Sequence, residues 1–139
     1  MKFKTSHGRT KYEIDLPLHR ADLAGIDLMG IDCSEMRLQK ANFAGAILTT
    51  ARFDDADLTD AKFNGAILQG VSFMGAKLKG ADLSRADLSE ASFFDADLSG
   101  ADLSASILHN TDFKDAVADH STRFPPRFHP GENDIIVTA

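Results

Sequence analysis

A single cysteine, Cys33, stands among 139 residues, which excludes an internal disulfide and a thiolate metal cluster. Prolines are equally scarce: they occur only at positions 17, 125, 126 and 130, so none interrupts residues 18 to 124. No stretch approaches the roughly 18 apolar residues of a membrane span. The charged start Met1-Lys2-Phe3-Lys4 leads into no apolar run of signal-peptide length. The chain therefore reads as cytoplasmic and unattached to membrane. Basic residues are outnumbered, 15 Lys and Arg against 21 Asp and Glu, for a net charge of −6. A protein that coats nucleic-acid phosphates would present clustered Lys and Arg instead, so direct nucleic-acid binding is not expected.

What the sequence does have is a period of five, plain in Ala81-Asp82-Leu83-Ser84-Arg85, Ala86-Asp87-Leu88-Ser89-Glu90 and Ala96-Asp97-Leu98-Ser99-Gly100. From Leu16 to Asp115 there are 20 such units without an insertion, and the third residue is Leu in 13, Phe in six and Cys once. The first residue is Ala in 13 of the 20. On an α-helix five residues turn by about 500°, so successive Leu would wander round every side. On an unbroken strand an odd period would flip each Leu to the opposite side from the last. What remains is a short extended segment and a turn in every unit, with the first and third residues pointing to one enclosed axis. Gly at the fifth position in eight units suits the positive φ that many tight turns need.

The phenylalanines decide how many units close a coil. Phe53, Phe73, Phe93 and Phe113 lie 20 residues apart, as do Phe43 and Phe63, so four units per coil place them in two columns. Cys33 ends the longer column, and there Ile31 replaces the usual Ala, an exchange that conserves volume in a close-packed axis. These seven residues, Cys33, Phe43, Phe53, Phe63, Phe73, Phe93 and Phe113, are the expected core ladders.

The units resemble the pentapeptide repeat family, whose Ala-(Asp/Asn)-Leu-x-x pattern they follow across residues 16–115. The resemblance implies an all-β fold, a right-handed four-sided parallel β-helix of about five 20-residue coils. With coils spaced by about 4.8 Å the rod is roughly 25 Å long. Solenoid ends expose unpaired strand groups and need covers. Residues 1–15, with Phe3, Tyr12 and Ile14, are read as an N-terminal cap, with Pro17 where one sheet edge has no neighbour. Residues 116–139 are read as a fading last coil and C-terminal cap, with Phe124 and Phe128 as a lid and residues 134–139 extended along the surface.

A rod with a filled axis has no cleft in which catalytic groups could converge, so no enzyme activity, cofactor or metal is expected. The five histidines, His7, His19, His109, His120 and His129, read as surface residues. Asp119-His120-Ser121 has the residue types of a hydrolase triad, but sequence neighbours seldom meet in that geometry. Repeated Asp also marks calcium-binding β-rolls, at a different period.

Sorting charges by side is more informative. We number the four faces by the units that begin them: the first at residues 16, 36, 56, 76 and 96, the second at 21, the third at 26 and the fourth at 31, each recurring every 20. The fourth face carries Asp32, Glu35, Asp54, Asp55, Asp95, Asp112 and Asp115 against Arg52 and Lys114, and the third carries Asp27, Asp87 and Glu90. Such a one-sided field could draw a basic partner surface. Two apolar features interrupt the polar surface, a column of Ile47, Ile67 and Ile107 on the third face and Met74 beside Phe94 on the fourth, the latter pair having the character of a contact patch. The expected function is a protein-binding or scaffold solenoid of unknown partner, monomeric or weakly dimeric. The resemblance implies an alternative, an acidic mimic of DNA that occupies an enzyme such as DNA gyrase. This chain departs from those relatives in having no loop within the repeat and a Pro-rich end in place of a dimerising helix. Finally, the second residue of each unit is expected to point to water, so that losing Asp82 should change stability by less than about 0.5 kcal/mol.

Overall fold

The computed structural model describes the backbone of residues 2–5 and 10–13 and all of residues 18–139. Expectations resting on His7, Ile14, Leu16 and Pro17, and on the side chains of Phe3 and Tyr12, lie outside the described residues.

Parallel bridges join second-position residues 20 apart, from Asp22 with Asn42 through Asp97 with Val117. This is a coil of four five-residue sides. Unit 41–45 shows where its five amides go. Ala41 N donates to Leu38 O across the turn at 3.0 Å, and Asn42 N to Ala21 O of the preceding coil at 2.8 Å. Phe43 N and Gly45 N donate to Lys62 O and Asn64 O of the next coil at 2.7 and 3.0 Å. The fifth amide, Ala44 N, has no backbone acceptor in this scheme and donates to the side chain of Asn42 at 3.0 Å. That is the physical content of Asp or Asn at the second position, since a buried or half-buried N–H left unpaired is costly.

Each turn places its third residue at positive φ, from 53° at Asn110 to 69° at Gly30 and Gly100, as a type II turn requires. All 20 fifth positions adopt it, and 12 of them are not glycine. The repeat thus imposes a left-handed residue wherever a coil turns, and the ladder bonds on either side hold even Thr50 there.

The axis is filled by the first and third residues. Third-position side chains from Leu18 to Leu103 are buried, as is Phe113. Ile31 and Cys33, the exchanged pair, are both fully enclosed. Phe53, Phe73, Phe93 and Phe113 stack with centroids 5.1 to 5.4 Å apart, and Phe43 stacks on Phe63 at 5.0 Å. The two columns meet across the axis edge to face, with Phe63 and Phe73 at 5.5 Å and 79°.

At the N-terminal end β1 (Lys2–Thr5) pairs antiparallel with β2 (Thr10–Glu13) and with β3 (Ile31–Asp32), which is the first rung of the fourth face. The hairpin thereby covers that rung's open edge. At the other end the repeat runs past Asp115. Val117 bridges Asp97 after 20 residues, but Arg123 bridges Asp102 after 21. The extra residue falls in the turn 119–122, where Asp119 Oδ1 accepts from Gly100 N at 3.1 Å, Ser121 N at 2.9 Å and Thr122 N at 3.1 Å. Phe124 and Phe128 stack on each other at 4.9 Å and meet Phe113 edge-on, closing the aromatic column. After a 3₁₀ turn at Pro130–Asn133, β5 (Ile136–Val137) pairs parallel with β4 (Val117–Ala118). The tail is therefore extended, as a further rung of the first face.

Candidate binding faces

The second-position carboxylates do not simply face water. Asp82 accepts from Ser84 N at 3.0 Å and Ser84 Oγ at 2.6 Å, and the same pair of bonds joins Asp32 to Ser34, Asp57 to Thr59 and Asp87 to Ser89. The position points outward, as expected, and carries a bond that the expectation did not include: its oxygens replace the acceptor that the turn denies to the fourth residue's amide. The Ser34 and Ser89 hydroxyls hold the Asp32 and Asp87 carboxyls below the ordinary range. Much of the negative charge counted from the sequence is thus directed at backbone.

The nine residues expected to bind a partner all lie on the fourth face but divide by environment. Asp32 flanks β1 and holds Ser34. Asp54 makes an ion pair with Arg52 at 2.7 Å, accepts from the Ser72 hydroxyl, and keeps only 15% of its side chain exposed. Asp112 is exposed and accepts from Lys114 N at 3.0 Å. Glu35, Asp55, Asp95 and Asp115 are exposed and share the fifth-position column along one corner of the rod. That column is broken at Gly75, where a Cβ would overlap the Asp55 carboxylate. Met74, next to the break, is 45% exposed, and Phe94 above it is half-buried.

On the third face Ile67 and Ile107 are exposed and Ile47 is half-buried. Two features had no legible signal. Ile136 and Val137 of β5 stand about half exposed, and a shallow recess of about 240 Å³ opens among Thr49, Thr50, Gln69, Gly70, Ser89 and Glu90. Each forms only when residues distant in sequence are brought into register.

Asp119, His120 and Ser121 are not a triad, because Ser121 Oγ donates directly to Asp119 at 2.7 Å within the turn. Four donors pull the Asp119 carboxyl down to about 2, the Ser121 hydroxyl most strongly. Burial pushes the Cys33 thiol far above its ordinary range, and the neighbouring Asp32 adds to this. Among the described residues no group of His, Cys, Asp and Glu is arranged to hold a metal ion, and no helix is long and apolar enough to cross a membrane.

The sequence profile of the pentapeptide repeat region matches residues 16–93 and 46–123, well over half the chain. The chain belongs to the pentapeptide repeat family. Solved structures agree on the fold, a right-handed four-sided β-helix. A pentapeptide repeat protein of the cyanobacterium Cyanothece 51142 is 23% identical, with 76% of this chain and 88% of that one covered, and superposes with a TM-score of 0.68. A pentapeptide repeat protein from the Arabidopsis thaliana thylakoid lumen is 29% identical over 79% of this chain and 72% of its own, with a TM-score of 0.59. Among curated proteins no match to the chain is found.

Proposed function

We propose that this pentapeptide repeat protein is a non-enzymatic binding solenoid that presents its fourth face to a protein partner, docking chiefly through an apolar contact. The observation that supports the reading most is Met74, exposed beside Phe94, with the carboxylates of Asp55 and Asp95 in the adjoining coils of the same corner. An apolar centre rimmed by charge is the usual anatomy of a binding patch. A regular face needs no reorganisation to dock, so little ordering entropy opposes association.

Affinity capture by the full chain, with Met74→Ala/Phe94→Ala and Asp55→Asn/Asp95→Asn/Asp115→Asn compared under increasing salt, tests the proposal. The apolar pair should be decisive and salt between about 50 and 300 mM should matter little. The reverse order, with strong salt dependence and with DNA gyrase bound at low salt, would favour the duplex-mimic reading. The Arg52–Asp54 ion pair and Lys114 weaken that reading, because both reduce the field a mimic would need.

A further inference from the structure

The third face offers a second surface, independent of the fourth. Its units, beginning at residues 26, 46, 66, 86 and 106, contain Asp27, Asp87 and Glu90 and no Lys or Arg. At its turn corner the fifth-position column runs Thr50, Gly70, Glu90, and the missing side chain at Gly70 opens the recess of about 240 Å³. That volume lies below the roughly 300 to 1,000 Å³ of small-molecule pockets, yet it can take one long side chain.

The lining has a definite polarity. Gln69 Nε2 donates to Asp87 Oδ2 at 2.6 Å, which fixes the amide and leaves Gln69 Oε1 as an acceptor. Ser89 Oγ donates to Asp87 Oδ1 at 2.7 Å, and Thr50 Oγ1 donates to Thr49 O at 2.7 Å, so two of the three lining hydroxyls have their protons engaged. Glu90 is exposed at one edge, and Ile67, 40% exposed, lies on the same face. The corner therefore presents mainly acceptors, with one carboxylate, an apolar flank and the Thr49 hydroxyl, which can accept as well as donate. A guanidinium on a three-carbon stem, with five donors and no acceptor, complements it.

We infer that the Gly70 recess is a socket for an arginine side chain of a protein partner, with Glu90 and Gln69 as its acceptors. Glycine is not demanded there by crowding: a Cβ at Gly70 would meet only Thr50 Cγ2, at 3.6 Å, whereas at Gly75 and Gly80 it would overlap an Asp carboxylate. The φ of +64° at Gly70 is one that Asn tolerates, so the socket can be filled without breaking the coil.

Amide chemical shifts of the full chain, titrated with N-acetyl-argininamide and with N-acetyl-norleucinamide as an uncharged control, test the socket. Saturable shifts confined to residues 49–50, 69–70 and 89–90 are expected with the arginine probe alone. Glu90→Gln should weaken binding by about threefold, the scale of an exposed charge pair, and Gly70→Asn should abolish it while the remaining amide spectrum stays in place. Equal response to both probes, shifts elsewhere, or binding unchanged in Glu90→Gln would overturn the inference. None of these results bears on Met74 and Phe94, which lie on another face and are read out by capture of a partner.

Discussion

Asp82 accepts both the amide and the hydroxyl of Ser84, at 3.0 and 2.6 Å. This one contact, repeated up the rod, explains why an outward-pointing residue is so often acidic, and it changes what its removal should do. Asp82→Ala should cost about 1 kcal/mol, the scale of a lost cap or a half-buried amide left unpaired. Asp82→Asn, which keeps an acceptor as Asn42 does for Ala44, should cost less. Urea unfolding midpoints decide it: if Asp82→Ala matches the parent, the bond is not contributing.

Phe73 lies between Phe53 at 5.4 Å and Phe93 at 5.1 Å, with Phe63 edge-on at 5.5 Å. Phe73→Ala should lose about 3 to 5 kcal/mol, because neighbours pinned by ladders on four sides cannot collapse into the gap. A loss under about 1 kcal/mol in chemical denaturation is incompatible with a rigid column.

Stability should fall in acid over a defined window. The carboxyls of Asp32, Asp87 and Asp119 are all depressed in the folded chain, Asp119 to about 2. Their contribution is present above the unfolded value near 4 and is lost as pH falls from about 4 toward 2. Denaturation midpoints should therefore drop over that interval, and Asp119→Asn should show a shallower drop.

Cys33 should be inert in the folded protein. Its thiol is fully enclosed and its ionisation is suppressed by burial, and only the thiolate is nucleophilic. An aromatic disulfide reagent at neutral pH should titrate no thiol in native buffer and one in denaturant. Rapid labelling without denaturant would mean that the first coil opens.

How much of this was legible beforehand depends on whether a feature recurs. The five-residue period, the inward first and third positions and the 20-residue coil follow from sequence alone. An odd period suits neither helix nor strand, and Phe53, Phe73, Phe93 and Phe113 allow one spacing. The same pattern places Met74 beside Phe94. It could not reveal that Asp82 turns back to Ser84, because that depends on which amide the turn leaves without a backbone acceptor, and the hydrogen-bond scheme exists only once neighbouring coils stack. Nor could it separate Asp54, paired with Arg52, from exposed Asp55 one residue on, since adjacent positions differ in side-chain direction and not in composition. Among the described residues the 21-residue coil at Asp119 and the antiparallel seat of β1 on Ile31–Asp32 each occur once, and the Gly70 recess needs three coils in register. A feature repeated 20 times is written in the local sequence many times over, whereas a unique contact is set by the shape of surfaces that meet only after folding.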